Sequence, residues 1–355
     1  MIFDNVNDND NLNYMDKKQK KRLYWQIPFL LLLIAGTVWV IKNQQDTPYH
    51  TDEGFIFGTN YKITYQYADD LKPEIEKQLM LVDSALSMFN EQSTISHVNR
   101  NEVYQPNDMF TEVVTKALAI SKETGGAFDI TVAPLVNAWG FGFKNGEMPT
   151  EAAVDSIRKF IGYKKIEMND GIVRKFDPRI MLDCSAIAKG YGCDVIAAYL
   201  ERKGITNYMV MIGGEVVTKG INPTRLPWRI GVTKPDDDTL GIKQETQTVL
   251  NVTDKAMATS GNYRNFYYKG GKKYAHTIDP ATGHPVQHSL LSATVLAKDC
   301  ATADAYATSF MVMGIDRAKQ LLEQHNELMA YFIFTDEKGE LAVWFSPTLQ
   351  DKIEE

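Results

Sequence analysis

Cysteine is scarce in this sequence, which has three in 355 residues: Cys184, Cys193 and Cys300. Three cysteines in so long a chain cannot form a disulfide framework, and no C-x-x-C pair is present to hold zinc or an iron–sulfur cluster. All three lie among apolar or small residues, which predicts buried structural side chains. The phosphate loop G-x-x-x-x-G-K-[ST], the dinucleotide pattern G-x-G-x-x-G and the nucleophile elbow G-x-S-x-G are also absent, as is any internal repeat.

Basic residues are too few for a general nucleic-acid binder. The chain has 38 Lys and Arg against 45 Asp and Glu, so its formal net charge is −7, whereas nucleic-acid binding needs a basic surface. With 44% hydrophobic and 23% charged residues, the composition is that of a folded protein and excludes a disordered or collagen-like chain.

Charge is unevenly distributed near the N-terminus. Residues 23–41 are uncharged and follow a basic cluster at 17–22, a pattern that predicts a single transmembrane anchor with residues 1–22 in the cytoplasm. A cleaved signal peptide is the alternative, although no small-x-small cleavage site follows the run. We expect a linker over 42–54 and a folded domain over 55–350, on the extracytoplasmic (periplasmic) side of the cytoplasmic (inner) membrane.

The folded part mixes helical and extended patterns. Apolar spacing predicts helices over 71–86, around 114–121 and from Ser185 to Gly204. Strand-like runs are Tyr208–Ile212, Trp228–Thr233, Thr248–Val252, Ser292–Ala297, Met329–Phe334 and Leu341–Phe345. Because the strands cluster rather than alternate strictly with helices, the predicted class is α+β or mixed α/β.

Four segments are rich in glycine and polar residues beyond what a scaffold needs. They are 125–142, 183–192, 258–265 continuing at 276–285, and 302–308. The second runs from a strand end into a helix start, where unpaired N–H groups attract anions. In the third, His276 directly precedes an Asp-Pro turn and is a candidate acid or base. In the fourth, Asp304 and Thr308 are four residues apart on one helix face and could bind one hard cation.

Taken together and in this order, these segments resemble the ApbE family, the FAD:protein FMN transferases. The similarity runs from about Gly58-Thr59 to Ser346-Pro347. The motifs that carry it are Phe128-Asp129-Ile130-Thr131-Val132, Trp139-Gly140-Phe141-Gly142, the turn at 183–190, Thr259-Ser260-Gly261-x-Tyr263-Arg264-Asn265, His276-x-Ile278-Asp279-Pro280-x-Thr282-Gly283 and Ala303-Asp304-Ala305. The resemblance implies a two-lobed ApbE-like domain and Mg²⁺-dependent transfer of FMN from FAD to a threonine hydroxyl of an acceptor protein, with release of AMP.

The resemblance also implies roles for single residues. The implied flavin-nucleotide contacts are Phe89, Ala127, Phe128, Asp129, Ser185, Tyr191 and Ile278. Mg²⁺ would be held by the carbonyl of Ala188 and the side chains of Asp304 and Thr308. His276 is our candidate base, and Asp279 would either orient it or bind metal.

Three departures from the family pattern stand out. Phe57 replaces the usual methionine before Gly-Thr, Ala307 replaces an acid found in some members, and the frequent lipid-anchor cysteine is absent. The acceptor implied by the resemblance is an electron-transfer subunit of a membrane complex. Two other functions stay open: an FAD pyrophosphatase, in which water replaces threonine, and a non-catalytic extracytoplasmic flavin-binding protein.

Overall fold

The structure is a computed structural model that describes the backbone at 17–43, 47–142, 148–235, 245–262, 266–269 and 272–354. The chain divides into two units, Met1–Pro48 and Tyr49–Glu355. The first unit contains helix α1, Lys17–Asn43, and the second contains every other helix and strand given below.

The structure does not support the predicted transmembrane segment. No helix among the residues whose side chains are described is long and apolar enough to cross a membrane. In α1 those side chains belong to residues 24–39. Residues 23, 40 and 41 of the predicted segment, like the basic tail at 1–22, lie outside the described side chains.

The second unit is a mixed α/β fold, as predicted. Its helices are α2 (Lys72–Leu86), α3 (Thr94–Asn99), α4 (Asp108–Glu123), α5 (Ala133–Ala138), α6 (Glu151–Arg158), α7 (Ala188–Arg202), α8 (Cys300–Met313) and α9 (Ile315–Leu322). Its strands are β1 (Tyr49–Ile56), β2 (Thr59–Gln66), β3 (Ile166–Asn169), β4 (Ile172–Lys175), β5 (Tyr208–Ile212), β6 (Glu215–Lys219), β7 (Arg229–Thr233), β8 (Thr246–Asn251), β9 (Ala256–Gly261), β10 (Phe266–Lys269), β11 (Lys272–Ala275), β12 (Leu290–Ala297), β13 (Met329–Thr335), β14 (Leu341–Phe345) and β15 (Ile353–Glu354).

The main sheet has eight antiparallel strands in the order β1-β2-β5-β6-β9-β12-β13-β14. Strand β5 is apolar along its whole length because both of its faces are covered. Its residues Tyr208, Val210 and Ile212 pack in the cluster that includes α7. Met209 and Met211 pack instead in a second cluster with residues of β7 and β8. Helices therefore cover one face of the sheet, and the small sheet β15-β8-β7 covers the other.

The structure corrects the predicted domain boundaries at both ends. Residues 49–54 belong to β1 rather than to a linker over 42–54, because β1 pairs along its full length with β2. At the other end, β15 pairs with β8, so the folded unit continues past residue 350. Residues 49–355 form one compact unit.

Candidate active site

One large cavity of about 1340 Å³ collects residues from all four sequence segments. Its lining includes the turn at 127–130, the start of α7, residues of β9, the residues after β11, and three positions on α8. The strands β1, β2 and β7 and the turn between β5 and β6 also contribute to the lining. The volume exceeds the range of about 300–1,000 Å³ that is usual for small-molecule sites, so the cavity can hold a large ligand.

Asp129 fixes the first wall of the cavity. Its Oδ1 accepts hydrogen bonds from the backbone N–H of Thr131 at 2.8 Å and from the Thr131 hydroxyl at 2.6 Å. Its Oδ2 accepts from the N–H of Tyr163 at 2.7 Å. Burial raises the pKa of the Asp129 carboxyl, against the lowering effect of these hydrogen bonds. With both oxygens engaged, Asp129 lines the cavity chiefly as a brace for the turn that places Ala127 and Phe128.

A short turn joins the second segment to this wall. The N–H of Asp183 donates to the carbonyl of Ile130 at 2.7 Å, and Asp183 Oδ1 accepts from the N–H of Ser185 at 2.7 Å. The carbonyl of Cys184 accepts from the N–H of Ala188 at 2.8 Å. Helix α7 therefore begins at Ala188 and Ser185 is not its N-cap, which corrects the predicted helix start. Ser185 is exposed and lines the cavity.

Gly190 allows the start of α7 to lie directly against α8. A Cβ on Gly190 would lie 2.3 Å from the carbonyl oxygen of Cys300, so a side chain cannot fit there. At this approach the N–H of Gly190 donates to Asp304 Oδ2 at 3.1 Å. The contact brings the anion-attracting helix start and the predicted cation ligand into one place.

Lys189, Glu215 and Asp304 form a charged cluster in the cavity wall. The Lys189 ammonium lies 2.9 Å from Glu215 Oε1 and 3.7 Å from Asp304 Oδ2. Burial raises the pKa of Asp304 to about 6, although the charge of Lys189 opposes this. Burial acts to lower the pKa of Lys189, but the two carboxylates outweigh it and raise that pKa. The cluster has one positive and two negative groups when all are ionised.

Thr308 lies on the same side of α8 as Asp304, and both line the cavity. The hydroxyls of Thr308 and Ser260 are 3.0 Å apart and share a hydrogen bond. Ala307, beside them in sequence, is fully buried. Two oxygen ligands four residues apart thus face one space, as the helix spacing predicts. Within the described part of the chain, no group of three or more His, Cys, Asp or Glu could hold a metal ion.

The third segment places His276, Thr277 and Ile278 on the cavity wall. The Thr277 hydroxyl donates to Asn262 Oδ1 at 2.8 Å, and the His276 ring packs edge-on against Phe141 at 6.5 Å between ring centres. Asp279 turns away into its own loop, where its Oδ1 accepts from the N–H of Ala281 at 2.9 Å. Residues 263–265 of the matching motif lie outside the described residues.

Four residues with predicted roles are absent from the described lining of the cavity: Phe89, Ala188, Tyr191 and Asp279. Phe89 is 75% exposed. Tyr191 is buried, and its hydroxyl donates to Glu112 Oε2 at 2.7 Å. Ala188 is the first residue of α7. The cavity itself collects Ala127, Phe128, Asp129, Ser185, His276, Ile278, Asp304 and Thr308.

Lys189 and Glu215 are two charged site residues to which sequence reasoning assigned no role. Lys189 stands within the quoted turn at 183–190, but a lysine near a helix start is ordinarily a solvated residue. Glu215 follows Gly213 and Gly214, whose φ angles of 66° and 111° form a tight turn between β5 and β6. A double glycine followed by an acid after an apolar strand was the available signal.

Comparisons with known proteins agree with this arrangement. A sequence profile described as the ApbE family matches residues 57–332. Proteins named FAD:protein FMN transferase are similar to this chain. The protein from Vibrio cholerae is 38% identical, and the match covers 80% of this chain and 87% of the relative. The protein from Escherichia coli is 32% identical, and the match covers 89% of this chain and 94% of the relative.

Solved structures are similar as well. The flavin transferase ApbE from Vibrio cholerae has a TM-score of 0.77 at 35% identity and covers 86% of this chain and 99% of its own. The apo form of the flavinyl transferase ApbE from Pseudomonas stutzeri has a TM-score of 0.76 at 28% identity, and the match covers 86% of this chain and 96% of that one. The profile match spans more than half of the sequence, and the chain belongs to the ApbE family.

Proposed function

We propose that this protein transfers FMN from FAD to a threonine hydroxyl of an acceptor protein and releases AMP. The observation that carries the proposal is the single cavity that gathers Phe128, Ser185, His276 and Asp304. The cavity suits a ligand with a flat ring at one end and a diphosphate at the other, because it combines apolar walls, an anion-attracting helix start, an ionisable ring and a buried carboxylate. The names of the similar proteins support transfer of FMN from FAD to a protein.

The proposed reaction is a phosphoryl transfer within the diphosphate of FAD. The threonine oxygen attacks the phosphorus on the FMN side, the bond from that phosphorus to the bridging oxygen breaks, and AMP leaves with the electron pair. The threonine proton passes to a base. His276 is the candidate base because it lies in the cavity wall, and such a base contributes roughly 10²–10⁴ in rate.

The residues present fit a magnesium ion. Asp304 and Thr308 supply hard oxygen ligands in one wall, as Mg²⁺ prefers. When ionised, the cluster of Lys189, Glu215 and Asp304 has a net charge of −1, and one buried oxygen, Glu215 Oε2, has no hydrogen-bond partner among the described residues. We propose that Asp304, Thr308 and the carbonyl of Ala188 hold Mg²⁺, which would neutralise charge on the diphosphate.

Product analysis tests the proposal. Purified protein is incubated with FAD and Mg²⁺, with and without an acceptor protein that carries a target threonine, and free AMP and FMN are separated. We expect AMP without an equal amount of free FMN when acceptor is present. Equal amounts of AMP and FMN that do not depend on acceptor would indicate an FAD pyrophosphatase. FAD binding without products would indicate a flavin-binding protein.

We also propose that residues 49–355 face the extracytoplasmic side of the membrane. Support comes from the sequence alone: the basic cluster at 17–22 precedes the uncharged run at 23–41. A reporter enzyme that is active only outside the cytoplasm, fused after Glu355, should be active in the full-length protein. Activity of a cytoplasm-only reporter at the same position would contradict the proposal.

A further inference from the structure

Three charged side chains share one cavity wall, and their pairing is unequal. The Lys189 ammonium is 2.9 Å from Glu215 Oε1 but 3.7 Å from Asp304 Oδ2. The first distance is that of a charge-assisted hydrogen bond, and the second is too long for a good one. Lys189 is thus paired with Glu215 rather than with Asp304, which is the carboxylate of the predicted cation site.

Glu215 has few other interactions. It is 4% exposed, and burying a carboxylate is costly unless it is paired. One of its oxygens faces Lys189, and the other has no hydrogen-bond partner among the described residues. The tight turn at Gly213 and Gly214 brings Glu215 to the cavity. The energetic cost of burying this acid is offset mainly by its pairing with Lys189.

Asp304 would pair with Lys189 if Glu215 were neutral. An ammonium and a carboxylate 3.7 Å apart in a buried wall attract each other strongly. An ammonium hydrogen-bonded to Asp304 would occupy an oxygen that a cation needs, and its positive charge would repel that cation. Lys189 also has three N–H donors, so an ammonium held by Glu215 keeps donors for phosphate oxygens in the cavity.

We propose that Glu215 is a positioning residue that draws the Lys189 ammonium away from Asp304, leaving Asp304 open to a divalent cation and Lys189 open to the phosphate bridge of FAD. The inference rests on the proposed function and deepens it. Glu215 and Lys189 act as a pair: one sets the position of the other, and Lys189 contacts substrate.

The test measures metal binding alone, without FAD. Mn²⁺, an oxygen-preferring stand-in for Mg²⁺, is titrated into wild-type protein and variants while free Mn²⁺ is followed by electron paramagnetic resonance. Glu215→Gln should weaken Mn²⁺ binding about 10-fold or more, the usual effect of removing a residue that supports a metal ligand. The double variant Glu215→Gln/Lys189→Met should restore wild-type affinity, because the competing ammonium is gone.

The rate of FMN transfer distinguishes the positioning role of Glu215 from the phosphate contact of Lys189. In the double variant, transfer should stay at least 10-fold below wild type despite restored Mn²⁺ binding, because the charge facing the phosphates is absent. Glu201→Gln is the matched control: its carboxylate pairs with Lys219 at 2.7 Å on the surface, outside the described lining of the cavity. It should change neither measurement.

The outcomes that would overturn the proposal are distinct. Wild-type Mn²⁺ affinity in Glu215→Gln, or a double variant that binds as weakly as the single one, contradicts the positioning role. If circular dichroism shows that Glu215→Gln does not fold, Glu215→Asp takes its place, because it keeps the charge but moves the carboxylate away from Lys189. Wild-type Mn²⁺ affinity and wild-type transfer in Glu215→Asp would contradict the positioning role. Absence of Mn²⁺ binding in the wild-type protein would also overturn the proposal. If the variants change Mn²⁺ affinity as expected but the wild-type protein hydrolyses FAD, only the transferase assignment is contradicted.

Discussion

The indole N–H of Trp139 donates a 2.7 Å hydrogen bond to the carbonyl of Gly283, which joins two segments 144 residues apart in sequence. Gly283 has a φ of 78°, and a Cβ there would lie 2.5 Å from Val154. The loop that follows His276 and Ile278 is therefore held against the end of α5 by a buried hydrogen bond, and Gly283 packs closely against the Val154 side chain of α6. This contact sets where the third segment meets the cavity.

Trp139→Phe should loosen that loop. The substitution keeps an aromatic ring but leaves the Gly283 carbonyl without its donor, which costs about 1–3 kcal/mol in the free energy of unfolding. Urea denaturation measures the loss, and FAD affinity should fall several-fold. Trp228→Phe is the control because its indole donates to the Lys219 carbonyl at 3.0 Å, away from the loop. Equal effects of the two variants on FAD affinity would contradict the interpretation.

Asp304→Asn should abolish magnesium-dependent transfer. The amide keeps the size of the side chain but removes the anionic oxygen that a hard cation prefers. Loss of several kcal/mol of charge stabilisation corresponds to at least about 10²–10³ in rate. Steady-state transfer rates across Mg²⁺ concentrations give the result. Asp316→Asn, an exposed change on α9, should behave as wild type. Normal turnover by Asp304→Asn would exclude the proposed magnesium ligand.

His276→Ala tests the proposed base. Transfer in a single turnover should slow by roughly 10²–10⁴ while FAD affinity changes little, because the lost interaction belongs to the transition state. His325→Ala removes a histidine that pairs with Glu327 at 2.9 Å outside the cavity lining and should leave the rate unchanged. Parallel losses of FAD affinity and thermal stability in His276→Ala would show a structural role instead.

Asp194 should make stability depend on pH. Burial raises its pKa from 3.8 to about 7, although it accepts hydrogen bonds from the N–H groups of Cys300 and Ala301. The folded state therefore holds a proton that the unfolded state releases, and the stability from this group is lost as pH rises from about 4 to about 7. Asp194→Asn should remove this part of the pH dependence of the free energy of unfolding. If the free energy of unfolding of the variant depends on pH as that of the wild type does, Asp194 is not the source of this dependence.

Much of the fold follows from periodicity. Tyr208–Ile212 and Leu341–Phe345 were predicted as strands with the bounds that the structure has. The predicted second helix extends further, over Asp108–Glu123, and begins after Asn107, whose side chain accepts a hydrogen bond from the N–H of Phe110. β1 and β2 were not predicted. In β1 the one buried residue is Asp52, so the strand carries no alternation of buried apolar residues that its sequence could show. Their pairing depends on the turn at Phe57 and Gly58, both with positive φ.

The arrangement of the site was harder to predict from the sequence than the fold was. Spacing on one helix is sufficient to place Asp304 beside Thr308. The contact between Lys189 and Glu215 depends on how α7 packs against the turn between β5 and β6, which no local pattern encodes. Tyr191 lies one helical position beyond Gly190, but its side chain turns into the core toward Glu112. Residue identity in a motif does not set which way a side chain faces.

The intact mass of an acceptor protein tests the central claim most directly. Acceptor is incubated with this enzyme, FAD and Mg²⁺, and its mass is compared with that of acceptor whose target threonine is replaced by alanine. We predict that the threonine form gains the mass of one phosphate-linked FMN, that fragmentation places the group on that threonine, and that the alanine form gains nothing. Acceptor that keeps its original mass while FAD is split or merely bound would contradict FMN transfer.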